Sequence, residues 1–396
     1  ISACLVGSEM CIRDSLAELC EEQMHDLVTE LVSENQQPGS VAAKVKELYT
    51  LGLDSARLNA EGMAPVKADL DEINILSGRE VPAAIGRLHA QGISPFFYVY
   101  VGPDGKDSPQ NLLSLNQGGI AMGDRDYYLA TDSTNLALRE AYKEYVTRLF
   151  VLAGYSESAA ESAAQSVLKV ETELARLAYS REELRDPQKN YNRMAYTDFA
   201  QRESAFDWTA FFRAMGVDSL THLDASQLAF FDGLNNLYPQ LPLQTIKDYL
   251  SYTLLNNAAS YLDDDFYNTQ FDFYGRTLSG QQEPRARWKR SLSTTDAVLS
   301  EALGEIYVER YFPQSSKDRM LKLVANLQEA LGQHIAQLEW MSDETKARAL
   351  EKLAAVTVKI GYPDKWRDYS ALEISTEKSY WENLKNASMF ETAYML

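Results

Sequence analysis

The sequence EPRARWKRSLSTTDAVLSEALGEIYVERYF, residues 283–312, opens the stretch that decides the fold. Apolar side chains recur in it every three to four residues from Leu292 to Tyr307, which is the spacing of one helix face. Proline cannot continue a helix because it lacks an N–H group. The pattern therefore predicts a helix that begins at Trp288 and ends at residues 311–313.

Three further elements are predicted between this helix and Tyr369. Ser315 and Asp318 form a Ser-x-x-Asp pattern, which satisfies free N–H groups at a helix start. The apolar positions that follow are Met320, Leu321, Leu323, Val324, Leu327, Leu331, Ile335 and Leu338. Another helix is predicted near Ser342, since acids in its first turn complement the helix dipole. The β-branched run at residues 356–360 predicts a strand.

Helical periodicity also dominates the rest of the chain. It predicts helices at residues 16–32, 41–53, 65–76, 81–89, 135–153, 157–179 and 243–262, with one more beginning at Trp208. The period changes at residues 96–101, which are aromatic and β-branched and precede Gly-Pro-Asp-Gly. This run predicts a strand paired with residues 111–117. The predicted fold class is mainly α, a large helical lobe with one small β-hairpin.

Composition and charge narrow the class of protein. The chain has 396 residues, of which 45% are hydrophobic, and a net charge of −19. It is long enough for two or more globular units. Nucleic acid and anionic membrane surfaces would repel it, so neither is predicted as a partner. No apolar run approaches the roughly 20 residues of a membrane-spanning helix.

The first fifteen residues, ISACLVGSEMCIRDS, differ from the rest of the chain. They lack a basic start and a long apolar core, so they do not predict a signal peptide. We interpret them as non-native read-through and leave them out of the fold prediction, with Cys4 and Cys11. Together with Cys20 these are the three cysteines of the chain. Three cysteines near the N-terminus do not predict a disulfide framework for a chain of this length.

The titratable residues do not predict a catalytic or metal site. The four histidines are His25, His89, His222 and His334. No two have the i, i+4 spacing of a helical metal pair, and His334 with Glu339 is too little for zinc. We interpret them as surface or packing residues.

Two charged clusters have alternative interpretations. The acids at residues 263–265 lack the spacing of a calcium loop and predict a helix end or turn. The basic cluster of Arg285, Arg287, Lys289 and Arg290 could bind a peptide carboxylate. We favour partners among the surplus acids of the chain.

Two polar segments are interpreted as structural joints. Residues 124–128, Asp-Arg-Asp-Tyr-Tyr, combine an ion-pair set with two rings that carry polar tips. Asp186 and Lys189 near Tyr191 have the same interpretation, and Asp186-Pro187 predicts a turn.

An ordered set of motifs resembles the neprilysin family of zinc metallopeptidases, which includes endothelin-converting enzymes and bacterial PepO-type oligopeptidases. The motifs are GGIAMGDRDYYL at 118–129, ETELA at 171–175, RDPQKNYNRM at 185–194, RARW at 285–288, WMSDETKARALEKL at 340–353 and KIGYPDKWRDY at 359–369. The resemblance implies a helical lobe over a thermolysin-like catalytic lobe. Residues 16–354 would form the helical lobe, and residues 355–396 would begin the catalytic lobe with the strand at 356–360.

The family's zinc signature, His-Glu-x-x-His, does not occur in this sequence. The resemblance therefore assigns no catalytic, metal-binding or substrate-binding residue to any position. It implies that the chain is a fragment, truncated at both ends and inactive by itself. The intact parent would hold zinc, hydrolyse short peptides and be completed by the missing C-terminal lobe, in an extracytoplasmic location. The alternative is a stand-alone, non-catalytic helical protein that binds peptides or another protein.

Overall fold

The computed structural model of the protein describes the backbone of residues 2–396 and the side chains of residues 15–396. The chain divides into two compact units. The small unit comprises the chain up to Tyr49 and Leu292–Ala371, and the large unit comprises Thr50–Ser291 and Leu372–Leu396.

The α-helices and strands follow one another along the chain with short connections. The helices are α1 (Ser2–Ser33), α2 (Val41–Leu53), α3 (Ser55–Glu61), α4 (Ala64–Ile75), α5 (Val81–Ala90), α6 (Asp126–Leu129), α7 (Ser133–Leu152), α8 (Glu157–Leu177), α9 (Tyr196–Arg202), α10 (Trp208–Met215), α11 (Leu228–Leu237), α12 (Leu243–Ala258), α13 (Asp264–Gln270), α14 (Arg287–Val298), α15 (Ser300–Tyr311), α16 (Gln314–Gln337), α17 (Asp343–Ala354) and α18 (Tyr380–Met395). A π-helix, Phe271–Leu278, follows α13. The strands are β1 (Phe97–Pro103), β2 (Asn111–Gln117), β3 (Arg193–Ala195) and β4 (His222–Ala225).

The large unit holds the main apolar core. The core runs from Val66 to Phe273 and includes Trp381 of α18. Aromatic rings fill much of it: Phe97 of β1 lies 5.2 Å from both Trp208 and Phe211 of α10. Large rings bury much apolar area and prefer such tilted and edge-on contacts. The core therefore fixes β1 against α10.

The large unit also contains a four-stranded sheet in the order β1-β2-β4-β3. Strands β1 and β2 form the predicted antiparallel hairpin, with Val99 opposite Leu115. Strand β4 runs parallel to β2, and β3 is antiparallel to β4. The prediction of one small hairpin was therefore incomplete. Strands β3 and β4 have only three and four residues, too few for their alternation to be recognised.

The small unit is tied together by contacts between distant parts of the chain. Lys44 Nζ in α2 donates to the carbonyl of Tyr369 at 2.6 Å. Tyr307 Oη in α15 donates to Gln23 Oε1 at 2.7 Å, and the Arg367 N–H donates to Glu301 at 2.8 Å. These contacts hold α1, α2 and α15 to the segment around KIGYPDKWRDY.

The deciding stretch is helical as predicted, but it contains two helices where one was predicted. Helix α14 ends at Val298 and α15 begins at Ser300, because Leu299 has φ −120° and ψ 35°. The Leu299 side chain is fully buried. No Gly or Pro marks this break, so the sequence carries no signal for it.

The capping prediction for α16 was wrong. Helix α16 begins at Gln314, directly after Pro313, and has no side-chain cap. Proline already has the φ that a helix start requires, so the helix begins before Ser315 can cap it. The Ser342 cap of α17 is confirmed, since its hydroxyl accepts from the Thr345 N–H at 3.2 Å.

The predicted strand at residues 356–360 was also wrong. These residues have no strand or helix assignment, and Val356 is exposed. A strand needs a neighbour to pair its backbone groups, and no described residue pairs with this run. Its β-branched composition is therefore not enough to form a strand, because no described strand pairs with it.

Six helices were not predicted. Five of them, α3, α6, α9, α11 and α13, have ten residues or fewer. Helix α18 had a readable signal: Ser379 and Glu382 form a complete capping box. Helix α1 begins at Ser2 rather than at Leu16. The interpretation of residues 1–15 as non-native concerns side chains that mostly lie outside the described part.

Candidate functional site

His89 is buried in the large unit among aromatic rings. Its ring lies 5.1 Å from both Phe97 and Phe211, and its Nε2 is 3.3 Å from the Pro95 carbonyl. Burial lowers the pKa of His89 to about 4, so the ring is neutral at physiological pH. The structure confirms the packing interpretation for this residue.

The other histidines do not gather into a metal site. His222 is exposed on β4, His25 lies half-buried in α1, and His334 is exposed on α16. Among the residues with described side chains, no group of three His, Cys, Asp or Glu could hold a metal ion. These residues do not fit the zinc site that the family resemblance implies for the intact enzyme.

The acid run and the basic cluster contact each other in the large unit. Asp263 caps α13, since its carboxylate accepts from the Phe266 N–H at 2.9 Å. Asp264 forms an ion pair with Arg287. The Arg290 guanidinium lies 3.7 Å from the ring centroid of Tyr267. The favoured interpretation, partners among the acids of the chain, is thus confirmed for Arg287, whereas Arg290 packs on an aromatic ring.

The segment at residues 124–128 is a joint, as predicted. Asp124 forms an ion pair with Arg181, and Arg125 donates to the carbonyl of Ala178. Both contacts tie this segment to the region that follows α8.

The second predicted joint is divided between two places. Asp186 accepts from the N–H groups of Gln188 and Lys189 at 2.9 and 3.1 Å, which closes the predicted turn. The Tyr191 hydroxyl instead donates to Asp104 Oδ1 at 2.9 Å. Arg193 Nη1 lies 3.0 Å from the same carboxylate and neutralises its charge.

A buried carboxylate at the centre of the large unit was missed from the sequence. Glu171 on α8 is 1% exposed. Its Oε2 accepts from the hydroxyls of Tyr142 at 2.6 Å and Tyr128 at 2.9 Å. Its Oε1 accepts from the Ala121 N–H at 3.2 Å. We call these four residues, together with Tyr252, the Glu171 network.

The Glu171 network has unusual electrostatics. Burial raises the pKa of Glu171 to about 8, while the hydrogen bonds from Tyr142, Tyr128 and Ala121 oppose that shift. The Tyr142 hydroxyl also lies 2.7 Å from the Tyr252 hydroxyl, which extends the network to α12. Such a network holds its members in one arrangement, because every unpaired buried group would cost free energy.

The network joins two motifs that lie far apart in the sequence. Ala121 and Tyr128 belong to GGIAMGDRDYYL, and Glu171 opens ETELA. The Tyr128 hydroxyl also accepts from the Met122 N–H at 3.0 Å, which closes the motif on itself. Perturbed carboxylates often mark functional sites. Here the hydrogen bonds of Glu171 link Ala121, Tyr128 and Tyr142 within the large unit.

Phe96 shows how tightly the start of β1 is held. Among the described residues it is the sole non-glycine with a positive φ, 67°. Its N–H donates to Tyr249 Oη at 3.1 Å, and that hydroxyl donates to the Gly119 carbonyl at 2.8 Å. A Cβ on Gly119 would lie 2.7 Å from the Phe96 Cα, so only glycine fits there.

A groove of about 1110 Å³ lies in the large unit. Its lining combines apolar residues of β2 and α18 with Arg193, Arg213 and Asp218. Ser219, Thr221 and His222 also line it.

An exposed apolar stripe lies on α16 in the small unit. It consists of Met320, Leu323, Leu327 and Leu331, which are 41%, 48%, 60% and 51% exposed. Their spacing of three and four residues places them on one face of the helix. We call this set the α16 stripe. Trp340, Leu350 and Val356, on or beside α17, are also exposed.

No helix among those described is long and apolar enough to cross a bilayer.

Comparison with known proteins connects this architecture to peptidases. The family model described as peptidase family M13, in its N-terminal form, matches residues 8–363. The chain is 28% identical over 317 residues to neprilysin-11 of Caenorhabditis elegans, covering 75% of the chain and 37% of that protein. It is 25% identical over 355 residues to the neutral endopeptidase of Lactobacillus helveticus, covering 89% of the chain and 54% of that protein.

A solved structure agrees over nearly the whole chain. The zinc metalloprotease ZMP1 of Mycobacterium tuberculosis, in its open state, superposes with a TM-score of 0.89 at 32% identity. The match covers 96% of this chain and 59% of that one. The chain thus spans about half or less of the curated relatives it matches, and somewhat more of the solved one. From the matched region, the motifs and the fold together, the chain belongs to peptidase family M13.

Proposed function

We propose that this chain is the N-terminal, mainly helical part of a zinc metalloendopeptidase that hydrolyses oligopeptides, and that it hydrolyses nothing by itself. One observation carries the proposal: the chain matches the M. tuberculosis zinc metalloprotease over 96% of its own length but only 59% of that protein. The sequence also lacks His-Glu-x-x-His, the arrangement that supplies two zinc ligands and a general base.

The part of the parent that binds zinc would therefore lie in the portion of the family fold outside this chain. Zinc there would activate a water molecule for attack on a peptide carbonyl. The residues of this chain would shape the space that substrate enters. Residues 16–354 would supply the helical lobe, and residues 355–396 would begin the second lobe. We place the parent outside the cytoplasm, on the resemblance to its family.

The contribution of the large unit would be a rigid wall. The Glu171 network and the ring cluster around Phe97 fix its helices through buried contacts. A wall of this kind restricts access by shape, so it needs no catalytic residue of its own.

A peptide-hydrolysis assay tests the proposal. The purified chain is incubated with zinc and a mixture of short peptides, next to the M. tuberculosis relative as positive control. We expect no cleavage by the chain. Cleavage that follows the chain through successive columns and disappears with a chelator would overturn the proposal.

A second candidate is a stand-alone, non-catalytic protein that binds peptides. The groove of about 1110 Å³ favours it, because arginines and apolar residues share its lining. Saturable binding of a short peptide, lost in Arg213→Ala and retained in Arg148→Ala on α7, would support this candidate. Binding that both variants retain would show that the peptide does not bind in this groove.

A further inference from the structure

The contacts within the chain do not account for the apolar side chains of the α16 stripe, which are exposed. Helix α16 has 24 residues, and Lys317 is its one buried member; α17 has no buried residue. In proteins, most of the stability of a helix comes from the packing of its apolar face against other elements. Contiguous exposed apolar patches on monomers mark interaction sites. The stripe therefore indicates a surface that is covered in the assembled protein.

The α16–α17 hairpin is already positioned to present this surface. Lys317 Nζ donates to the Tyr362 carbonyl at 2.8 Å and lies 3.0 Å from Asp364 Oδ1. Tyr362 Oη donates to Gln314 Oε1 at 2.6 Å. These contacts fix the start of α16. A surface held in its bound arrangement loses little conformational entropy on association.

The two helices of the hairpin also approach each other closely near the far end of α16. A Cβ on Gly332 would lie 3.6 Å from Leu353 and 3.7 Å from Leu350 of α17. One face of α16 therefore packs against α17, and the α16 stripe lies on a different face of the same helix.

We propose that the α16 stripe packs against an apolar surface of the portion of the M13 fold that lies outside this chain. The inference rests on the proposed function. The M. tuberculosis relative superposes on 96% of this chain, yet that match uses 59% of the relative, so a large part of its fold has no counterpart here. An apolar face on that part would complete the packing of α16.

Two other occupants fit the surface less well. A second copy of the chain would bring together two molecules that each carry a net charge of −19, and this charge opposes association. A short peptide ligand binds best in a concave pocket, whereas the stripe lies on the convex side of a helix.

Co-expression tests the proposal. The tagged chain is produced together with the segment of the M. tuberculosis relative that follows its matched region, and the fraction that co-purifies is measured. The stripe variant is L323E/L327E/L331E. The control A325E/Q333E/A336E adds the same charge to exposed positions on the opposite side of α16. Circular dichroism checks that both variants keep their helices.

We expect the wild-type chain and the control to co-purify with the segment in a 1:1 ratio. We expect the co-purifying fraction to be at least about tenfold lower for the stripe variant, which corresponds to roughly 1.4 kcal/mol. Retention by the stripe variant would overturn this inference and leave the proposed function standing. Failure of the wild-type chain to retain the segment would overturn the inference as well. So would a homodimer, seen by light scattering, that persists when the segment is present. Peptide cleavage by the chain alone would instead refute the proposed function.

Discussion

Helices α8 and α16 have similar lengths, 21 and 24 residues, but they bury very different parts of themselves. Helix α8 of the large unit buries eight residues: Ala160, Ala163, Ala164, Val167, Val170, Glu171, Leu174 and Ala175. Helix α16 of the small unit buries Lys317 and exposes its leucines. The first helix is stabilised by packing within the chain, whereas the second presents apolar surface that the chain leaves uncovered.

The difference shows that apolar periodicity predicts a helix but does not predict whether its apolar face is buried within the chain. Both helices place apolar side chains three and four residues apart, and both were predicted correctly as helices. The same spacing leads to a buried core face in one and an exposed stripe in the other. Periodicity therefore indicates that a face is to be covered, but the structure alone shows whether the covering residues belong to this chain.

The largest expected effect comes from truncating the buried face of α8. Leu174 is fully buried in the main core. Leu174→Ala removes apolar contacts and leaves a cavity, so we expect the free energy of unfolding to fall by about 2–5 kcal/mol. A urea titration followed by tryptophan fluorescence measures the change. A loss below about 1 kcal/mol would mean that α8 is not packed as tightly as its burial indicates.

The Glu171 network gives the next effect, which depends on pH. The pKa of Glu171 is about 8 in the folded protein, because the carboxyl is buried, and near 4.3 in an unfolded chain. Between these values the folded state holds more protons than the unfolded state. The stabilising contribution is therefore complete below about pH 4.3 and is lost as the pH rises through about 8.

Glu171→Gln removes this titration. We expect the free energy of unfolding to depend less on pH between 5 and 8 in the variant, by a few kcal/mol over the interval at most. Melting temperatures at several pH values measure the slope. Glu161→Gln, at an exposed position of α8, is the matched control and should keep the wild-type slope. Equal slopes in wild type and E171Q would show that Glu171 does not titrate in this range.

The sequence predicted the fold where local signals were complete. Helix α2, the β1–β2 hairpin and the start of α10 at Trp208 lie where periodicity and turn residues placed them. It failed where a partner decides the outcome. No local signal marks the break at Leu299, whose side chain is buried, and residues 356–360 have strand composition but no pairing strand among the described residues.

The site was harder to predict than the fold, for the same reason. Residues 124–128 were interpreted as a joint from their chemistry, yet the partner of Tyr128 is Glu171, 43 residues away. Nothing local distinguishes Glu171 from Glu173, because only the packing of α8 buries the first and leaves the second half-buried. The family motifs include both Tyr128 and Glu171, but the motifs do not predict the hydrogen bond between these two residues.

The smallest expected effect provides the sharpest test of the comparison. Leu327→Ala is the same chemical change as Leu174→Ala, again within a helix, but Leu327 is 60% exposed. Substitutions at exposed positions away from special features usually change stability by less than about 0.5 kcal/mol, and alanine favours helix formation. We therefore expect the urea titration of L327A to overlay that of the wild-type chain.

A loss of 2 kcal/mol or more in L327A would contradict the distinction between the two helices. It would mean that the stripe is already covered in the isolated chain, and a stability that rises with protein concentration would identify a second copy as the cover. An unchanged stability means that the stripe leucines do not hold this chain together. Their apolar character then has to serve a surface beyond it, which is the role that the co-expression experiment measures directly.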